Sequence, residues 1–121
     1  MASTAIREVT ASEFSMLLKG ERPMLADFSS IWCGPCKAML PIVERLAANF
    51  AGRAEFVKVD VDQFSKLAAT HGVRGVPTFL LFANGQAVER VVGLTSENAL
   101  AALIEQHIVP TMNKSEPLVA A

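Results

Sequence analysis

The sequence predicts an α/β fold in which a mixed β-sheet of about five strands is covered on both faces by about four helices. Two patterns and the chain length support this. Short β-branched and apolar runs alternate with segments whose apolar residues recur at helical spacing, in the order β-α-β-α-β-α-β-β-α, with no internal repeat or low-complexity linker. In "TFLLFANGQAVERVVG", Asn84-Gly85 separates two β-rich runs, a strong hairpin signal that makes the last two strands antiparallel. A chain of 121 residues, 51% hydrophobic, fits one domain and buries roughly two-thirds of its unfolded surface without needing a disulfide.

Ile6 to Val9 is expected to form a short edge strand. In "TASE", Thr10 and Glu13 have the spacing of a capping box, opening a helix over Ala11 to Lys19 with Phe14, Leu17 and Leu18 on one face and Gly20 as its stop. "PMLADFS" reads as a strand buried on both faces. Beyond the cysteines, Met39, Val43, Leu46 and Phe50 recur at helical spacing until Gly52. Pro41 interrupts that run. It donates no backbone hydrogen bond and clashes with the carbonyl four residues back, so a kink is expected between the cysteine turn and the helix body, unless Pro41 falls in the first turn of a later-starting helix.

In "EFVKVDVD", Val57, Val59 and Val61 alternate with Lys58, Asp60 and Asp62 at the period of a strand. A short helix follows over about Gln63 to Thr70, before Gly72 and Gly75 break the pattern. Ser96 caps a last helix whose Leu100, Leu103 and Ile104 form one stripe, with His107 and Ile108 in its final turn. The domain is expected to span residues 1–109; residues 110–121 keep no sustained period and read as a loosely ordered tail.

Eleven basic and twelve acidic side chains give a net charge of -1, and neither sign gathers into a block that would bind nucleic acid or an anionic membrane. The start, "MASTAIREVT", has neither the basic nor the apolar region of a secretory signal, and the longest central apolar run, Phe79 to Ala83, is far short of the ~20 residues that span a bilayer. The expected location is the cytoplasm, although an exported chain already stripped of its signal would look the same. In a reducing cytosol a close cysteine pair is more often metal-binding or catalytic than a permanent staple.

Both cysteines lie in "WCGPCK", between the strand ending near Ser29 and the next helix. Ligand chemistry in open α/β sheets concentrates at such strand-to-helix loops. Cys33 near the helix N-terminus would meet free N–H groups and the positive end of the macrodipole, which stabilise a thiolate. A thiolate is the nucleophile of thiol–disulfide exchange, so Cys33 can attack an external disulfide and Cys36, one turn later, can resolve the mixed disulfide. Gly34 and Pro35 keep the turn tight. Structural zinc is a weaker alternative, because it usually takes four ligands and only His71 and His107 accompany the cysteines, at spacings unlike a zinc finger. A purely structural Cys33–Cys36 bond closes too small a loop to stabilise much. His71 is expected to be a loop or surface residue, and His107 a favourable charge near a helix C-terminus.

Asp27 interrupts the apolar "MLADF". Facing inward it would lose solvation and hold its proton more tightly; at an exposed strand end it would be an ordinary carboxylate. Lys58 likewise needs a charge partner or a route to water.

These residues together resemble the thioredoxin family, over roughly Ile6 to Ile108. The resemblance rests on "ADF" before "WCGPCK", on "VKVDVD", on "VRGVPTFLLFANG" and on "VVG" ahead of the last helix. It implies a thioredoxin fold with Cys33 as the attacking and Cys36 as the resolving cysteine. Asp27 would be the buried acid that assists proton transfer at Cys36, with Lys58 as its charge partner. Pro77 would be the family's cis-proline, and Val76 would offer backbone hydrogen bonds to an extended substrate. Trp32, Gly34, Pro35, Gly75, Val76 and Gly93 would complete an apolar docking surface. Read blandly, Trp32 is a half-buried packing residue and Gly93 a strand-ending turn.

The implied activity is disulfide reduction in protein substrates by a monomer with no bound cofactor, recycled by thioredoxin reductase with NADPH. A disulfide oxidant or isomerase of an oxidising compartment and a non-catalytic binding module are the rivals. The chain departs from the family at Ser29, where an aromatic is common, and at His71, where an aromatic is frequent. It also lacks tyrosine.

Overall fold

The computed structural model describes residues 6–108, so the tail expected at 110–121 lies outside the described residues. The element order is β1 (Arg7–Glu8), α1 (Ala11–Leu18), β2 (Met24–Ser29), α2 (Gly34–Asn49), β3 (Glu55–Asp60), α3 (Ser65–Thr70), β4 (Thr78–Ala83), β5 (Gln86–Val92) and α4 (Glu97–His107). The strands form one mixed sheet in the order β1-β3-β2-β4-β5. β3 pairs in parallel with β1 and β2, whereas β4 runs antiparallel to β2 and to β5.

Local signals set several boundaries. Thr10 and Glu13 make the reciprocal bonds of a capping box, with Thr10 N–H donating to Glu13 Oε1 at 2.9 Å and Glu13 N–H donating to Thr10 Oγ1 at 3.1 Å. Asn84 and Gly85 both have positive φ, 55° and 79°, and close a two-residue loop between paired Ala83 and Gln86, as a type I′ hairpin requires. Ser96 caps α4 by accepting the Ala99 N–H at 3.0 Å. β3 ends two residues earlier than the valine alternation suggests, because Asp60 Oδ1 accepts the Asp62 N–H at 2.9 Å and turns the chain.

Pro41 is inside α2, not in its first turn, and the cysteine turn belongs to the same continuous helix. With no N–H, Pro41 cannot supply the usual hydrogen bond to the Lys37 carbonyl.

Alternation along the strands sorts side chains onto two faces. On one, Leu25, Phe56, Phe79 and Leu81 pack beneath Met39, Val43 and Leu46 of α2 and Leu100 and Ile104 of α4. On the other, Met24, Ala26, Phe28, Val57, Val59, Leu80 and Phe82 pack against Phe14 of α1 and Ala68 of α3. By the same alternation Asp27 and Ser29 share the α2 face with Leu25, and Lys58 shares it with Phe56. Among the described residues no helix is long and apolar enough to cross a membrane.

His71 lies in the turn after α3, as a loop residue should, but it is not solvated. It caps the C-terminus of α3, half-buried, with its ring centroid 5.5 Å from Phe14, 6.3 Å from Phe28 and 5.2 Å from Phe82. The backbone carbonyl of His71 accepts an Arg90 N–H at 2.6 Å. Burial among these rings, and secondarily the Arg90 charge, push the His71 imidazole below its ordinary 6.5. A depressed folded-state value means that neutral His71 favours folding, and that stability is lost as pH falls below 6.5. His71→Phe keeps an aromatic there without a titrating group. Its denaturation midpoint relative to the parent protein should rise as pH falls from 7 to 5; a pH-independent difference in urea titrations would show that His71 protonation is not linked to folding.

Candidate functional site

The C-terminal ends of β2, β3 and β5 and the N-terminal end of β4 meet at one end of the sheet, and the loops there carry the residues singled out by the sequence. Register fixes this arrangement: Phe28 is opposite Thr78, Thr78 opposite Val92, and Ser29 beside Asp60.

Cys33 is the N-cap of α2, and its Sγ accepts the Cys36 N–H at 3.1 Å. Pro35 fits in the first turn because helical N–H groups there have no intrahelical acceptor to reach. Cys33 and Cys36 are joined as a disulfide with a Cα–Cα separation of 5.2 Å. Cys33 is partly accessible, whereas Cys36 is only 6% exposed. Cys33 is thus the more exposed member of the pair and Cys36 the enclosed one. When the bond opens, negative charge on Cys33 Sγ meets the Cys36 N–H and the positive end of the α2 dipole.

Below the disulfide lies a cavity of about 350 Å³ lined by Asp27, Ser29, Ser30, Ile31, Cys36, Lys37, Leu40 and Lys58. It has room and polar partners for several water molecules. Asp27 is 1% exposed, and its enclosed Oδ1 has no hydrogen-bond partner among the described residues. Of the two readings open from sequence, the buried one holds. Desolvation lifts the Asp27 carboxyl from 3.8 to about 7, and Lys58, its register partner on β3, opposes that rise only in part. The cavity therefore joins the inner cysteine to a group that exchanges protons near neutrality.

The Val76-Pro77 bond is cis. Thr78 Oγ1 donates to the Gly75 carbonyl at 2.7 Å, and Gly93 N–H donates to the Pro77 carbonyl at 2.8 Å, tying the Gly75–Pro77 loop to the end of β5. Gly93 has φ 90°, which alone favours glycine, and a Cβ there would meet nothing within 4 Å. Trp32 is 81% exposed, not half-buried.

Ile31, Val92 and Leu94 are also exposed at this end and were not anticipated as surface groups. The signal was present: consecutive strand side chains face opposite sides, so in "VVG" one valine must turn outward, and Val91 is the one packed on the core. Ser30 and Asp62 were missed as well; Ser30 Oγ donates to Asp62 Oδ2 at 2.7 Å. His107 Nε2 lies 2.9 Å from Glu89 Oε2, while His71 occupies the opposite sheet face, so the two histidines do not converge with the cysteines. No group of three or more His, Cys, Asp or Glu among the described residues is placed to hold a metal ion.

The thioredoxin family model matches residues 5–106. Thioredoxin 1 of Nostoc sp. is 36% identical over 106 residues, covering 87% of this chain and 99% of its own. A thioredoxin of Staphylococcus aureus is 38% identical over 104 residues, covering 86% and 99%. Among solved structures, a mutant thioredoxin from Halobacterium salinarum superposes with TM-score 0.81 at 42% identity, covering 92% of this chain and 98% of that one. A thioredoxin from Nicotiana alata gives TM-score 0.82 at 32% identity, covering 90% and 97%.

Asp27 has a raised folded-state value, so the stability due to its neutral form is fully present below 3.8 and is lost as pH rises through about 7. At about 1.4 kcal/mol per pH unit the loss is on the order of 4 kcal/mol. Asp27→Asn cannot ionise, and its stability relative to the parent protein should increase by a few kcal/mol between pH 4 and pH 8. Parallel curves in denaturant titrations across that range would mean that the buried carboxyl titrates normally.

Proposed function

The chain belongs to the thioredoxin family, a dithiol–disulfide oxidoreductase by its paired cysteines, and from that premise we propose that it is a protein disulfide reductase recycled by thioredoxin reductase with NADPH. The observation that carries this reading is an accessible Cys33 capping α2 with a buried Cys36 behind it, above a cavity shared with Asp27.

The Cys33 thiolate attacks one sulfur of a substrate disulfide, forms a mixed disulfide and expels the other substrate sulfur as a thiolate. Cys36, deprotonated toward Asp27 through cavity water, attacks Cys33 Sγ and expels the second substrate sulfur. The substrate gains two electrons and two protons, and the pair is left as the Cys33–Cys36 disulfide. Lys58 moderates the Asp27 charge. Two electrons from NADPH, delivered by the reductase, restore the dithiol, and no cofactor is bound in the domain.

Substrate docks on the apolar surface made by Trp32, Gly34, Pro35, Gly75, Val76, Pro77 and Gly93, extended by Ile31, Val92 and Leu94. Val76 offers backbone hydrogen bonds to the extended substrate, and open space over Gly93 admits its main chain. The protein acts as a cytoplasmic monomer, with the domain spanning residues 1–109.

The same exposed apolar surface supports a second reading, a binding module without turnover. NADPH oxidation with a thioredoxin reductase and a disulfide-bonded protein substrate separates the two. Turnover should proceed with the parent protein and vanish with Cys36→Ser. A reductase active on another thioredoxin but idle on this chain would reject NADPH recycling; partner binding retained after both cysteines become serine would then support the module.

A further inference from the structure

We propose that Ser30 is a positioning residue, whose hydroxyl links the Trp32 N–H to the Asp62 carboxylate and so holds Cys33 in its attacking geometry. This inference rests on the dithiol reading of the site. Ser30 makes three bonds at one point of the chain: its Oγ donates to Asp62 Oδ2 at 2.7 Å, the same Oγ accepts the Trp32 N–H at 3.2 Å, and its carbonyl accepts the Cys33 N–H at 3.2 Å.

The polarity of this chain is fixed. A backbone N–H only donates, an ionised carboxylate only accepts, and a hydroxyl has one proton, so the bonds run from Trp32 through Ser30 to Asp62 and polarise each other. Asp62 is itself anchored, because its N–H donates to Asp60 Oδ1 at 2.9 Å just beyond β3. The adjacent Val61 N–H donates to the Ser29 carbonyl at 2.9 Å. The turn bearing Cys33 is thus held from the side by the β3–α3 loop and not only by its own strand and helix.

The consequence for chemistry runs through the cap. Cys33 Sγ meets the Cys36 N–H only while the Ser30–Cys33 turn holds Cys33 in its extended N-cap conformation, φ -95° and ψ 114°. Without the Ser30 hydroxyl, Trp32 N–H and Asp62 lose a shared partner, the turn loosens, and the Cys33 thiolate loses part of its stabilisation. The charged groups near this end of the sheet include Asp27, Lys37, Lys58, Asp60, Asp62 and Arg74, and Ser30→Ala changes none of them.

The test is the pH profile of Cys33 alkylation by iodoacetamide in the reduced full-length protein, together with anisotropy of the single tryptophan, Trp32. Ser30→Ala should lower the rate at pH 7 about fivefold, the scale of one lost hydrogen bond, move the profile midpoint upward, and lower the anisotropy. Asp62→Ala, which also removes a nearby negative charge and so is compared by anisotropy alone, should lower the anisotropy as much, the double variant should lower it little further, and Ser30→Thr should recover the parent values. A parent-like profile and anisotropy in Ser30→Ala would overturn the role, as would additive losses in the double variant. Alkylation needs no reductase or protein substrate. A chain that fails NADPH turnover but shows the Ser30 effect loses the proposed recycling and keeps this inference.

Discussion

β2 is buried from Met24 to Ser29, and in its middle it carries a carboxyl group one oxygen of which is enclosed without a hydrogen-bond partner among the described residues. An ionised carboxylate in that position is costly to desolvate, so the fold holds the proton on Asp27 until about neutrality. Much of the site follows from this constraint. The pleat that sends Leu25 into the α2 face sends Asp27 and Ser29 there too, and the parallel register with β3 sets Lys58 beside Asp27. The polar pocket under Cys36 is therefore built by the same alternation that builds the core.

Above that pocket the N-terminus of α2 serves two purposes. It ends β2 by turning the chain into a helix, and it gives Cys33 a backbone donor and a favourable dipole while keeping Cys36 out of solvent. The paired sulfurs differ because one is a cap and the other lies in the first turn facing the sheet. The β4 and β5 ends, joined by the Gly93–Pro77 hydrogen bond, bring a second set of loops to the same edge.

Much of the fold was legible in the sequence, because capping and hairpin geometry are written in a few residues: Thr10 with Glu13, Asn84 with Gly85, Ser96 before α4. The cysteine chemistry was also legible, since "WCGPCK" falls at a strand-to-helix loop. Less accessible were features set by tertiary contacts. The burial of Asp27 depended on which face of β2 met α2. Trp32, Ile31, Val92 and Leu94 are apolar yet exposed, and composition cannot tell exposed apolar residues from core ones. The enclosed setting of His71 is hidden from the sequence because its three phenylalanine neighbours come from α1, β2 and β4. Pro41 is expected to kink the helix, and it lies inside one continuous element whose Met39, Val43 and Leu46 pack on the sheet.

The coupling between the Asp27 proton and the Cys36 thiol is tested most directly by trapping a chromogenic thiol on Cys33 as a mixed disulfide and timing its release by Cys36 from pH 5 to 9. The parent protein should resolve it with an inflection near pH 7, and Asp27→Asn should be slower near neutrality, by on the order of a hundredfold for lost general-base assistance. Equal rates in the two proteins across the range would contradict a role for the buried carboxyl in the exchange.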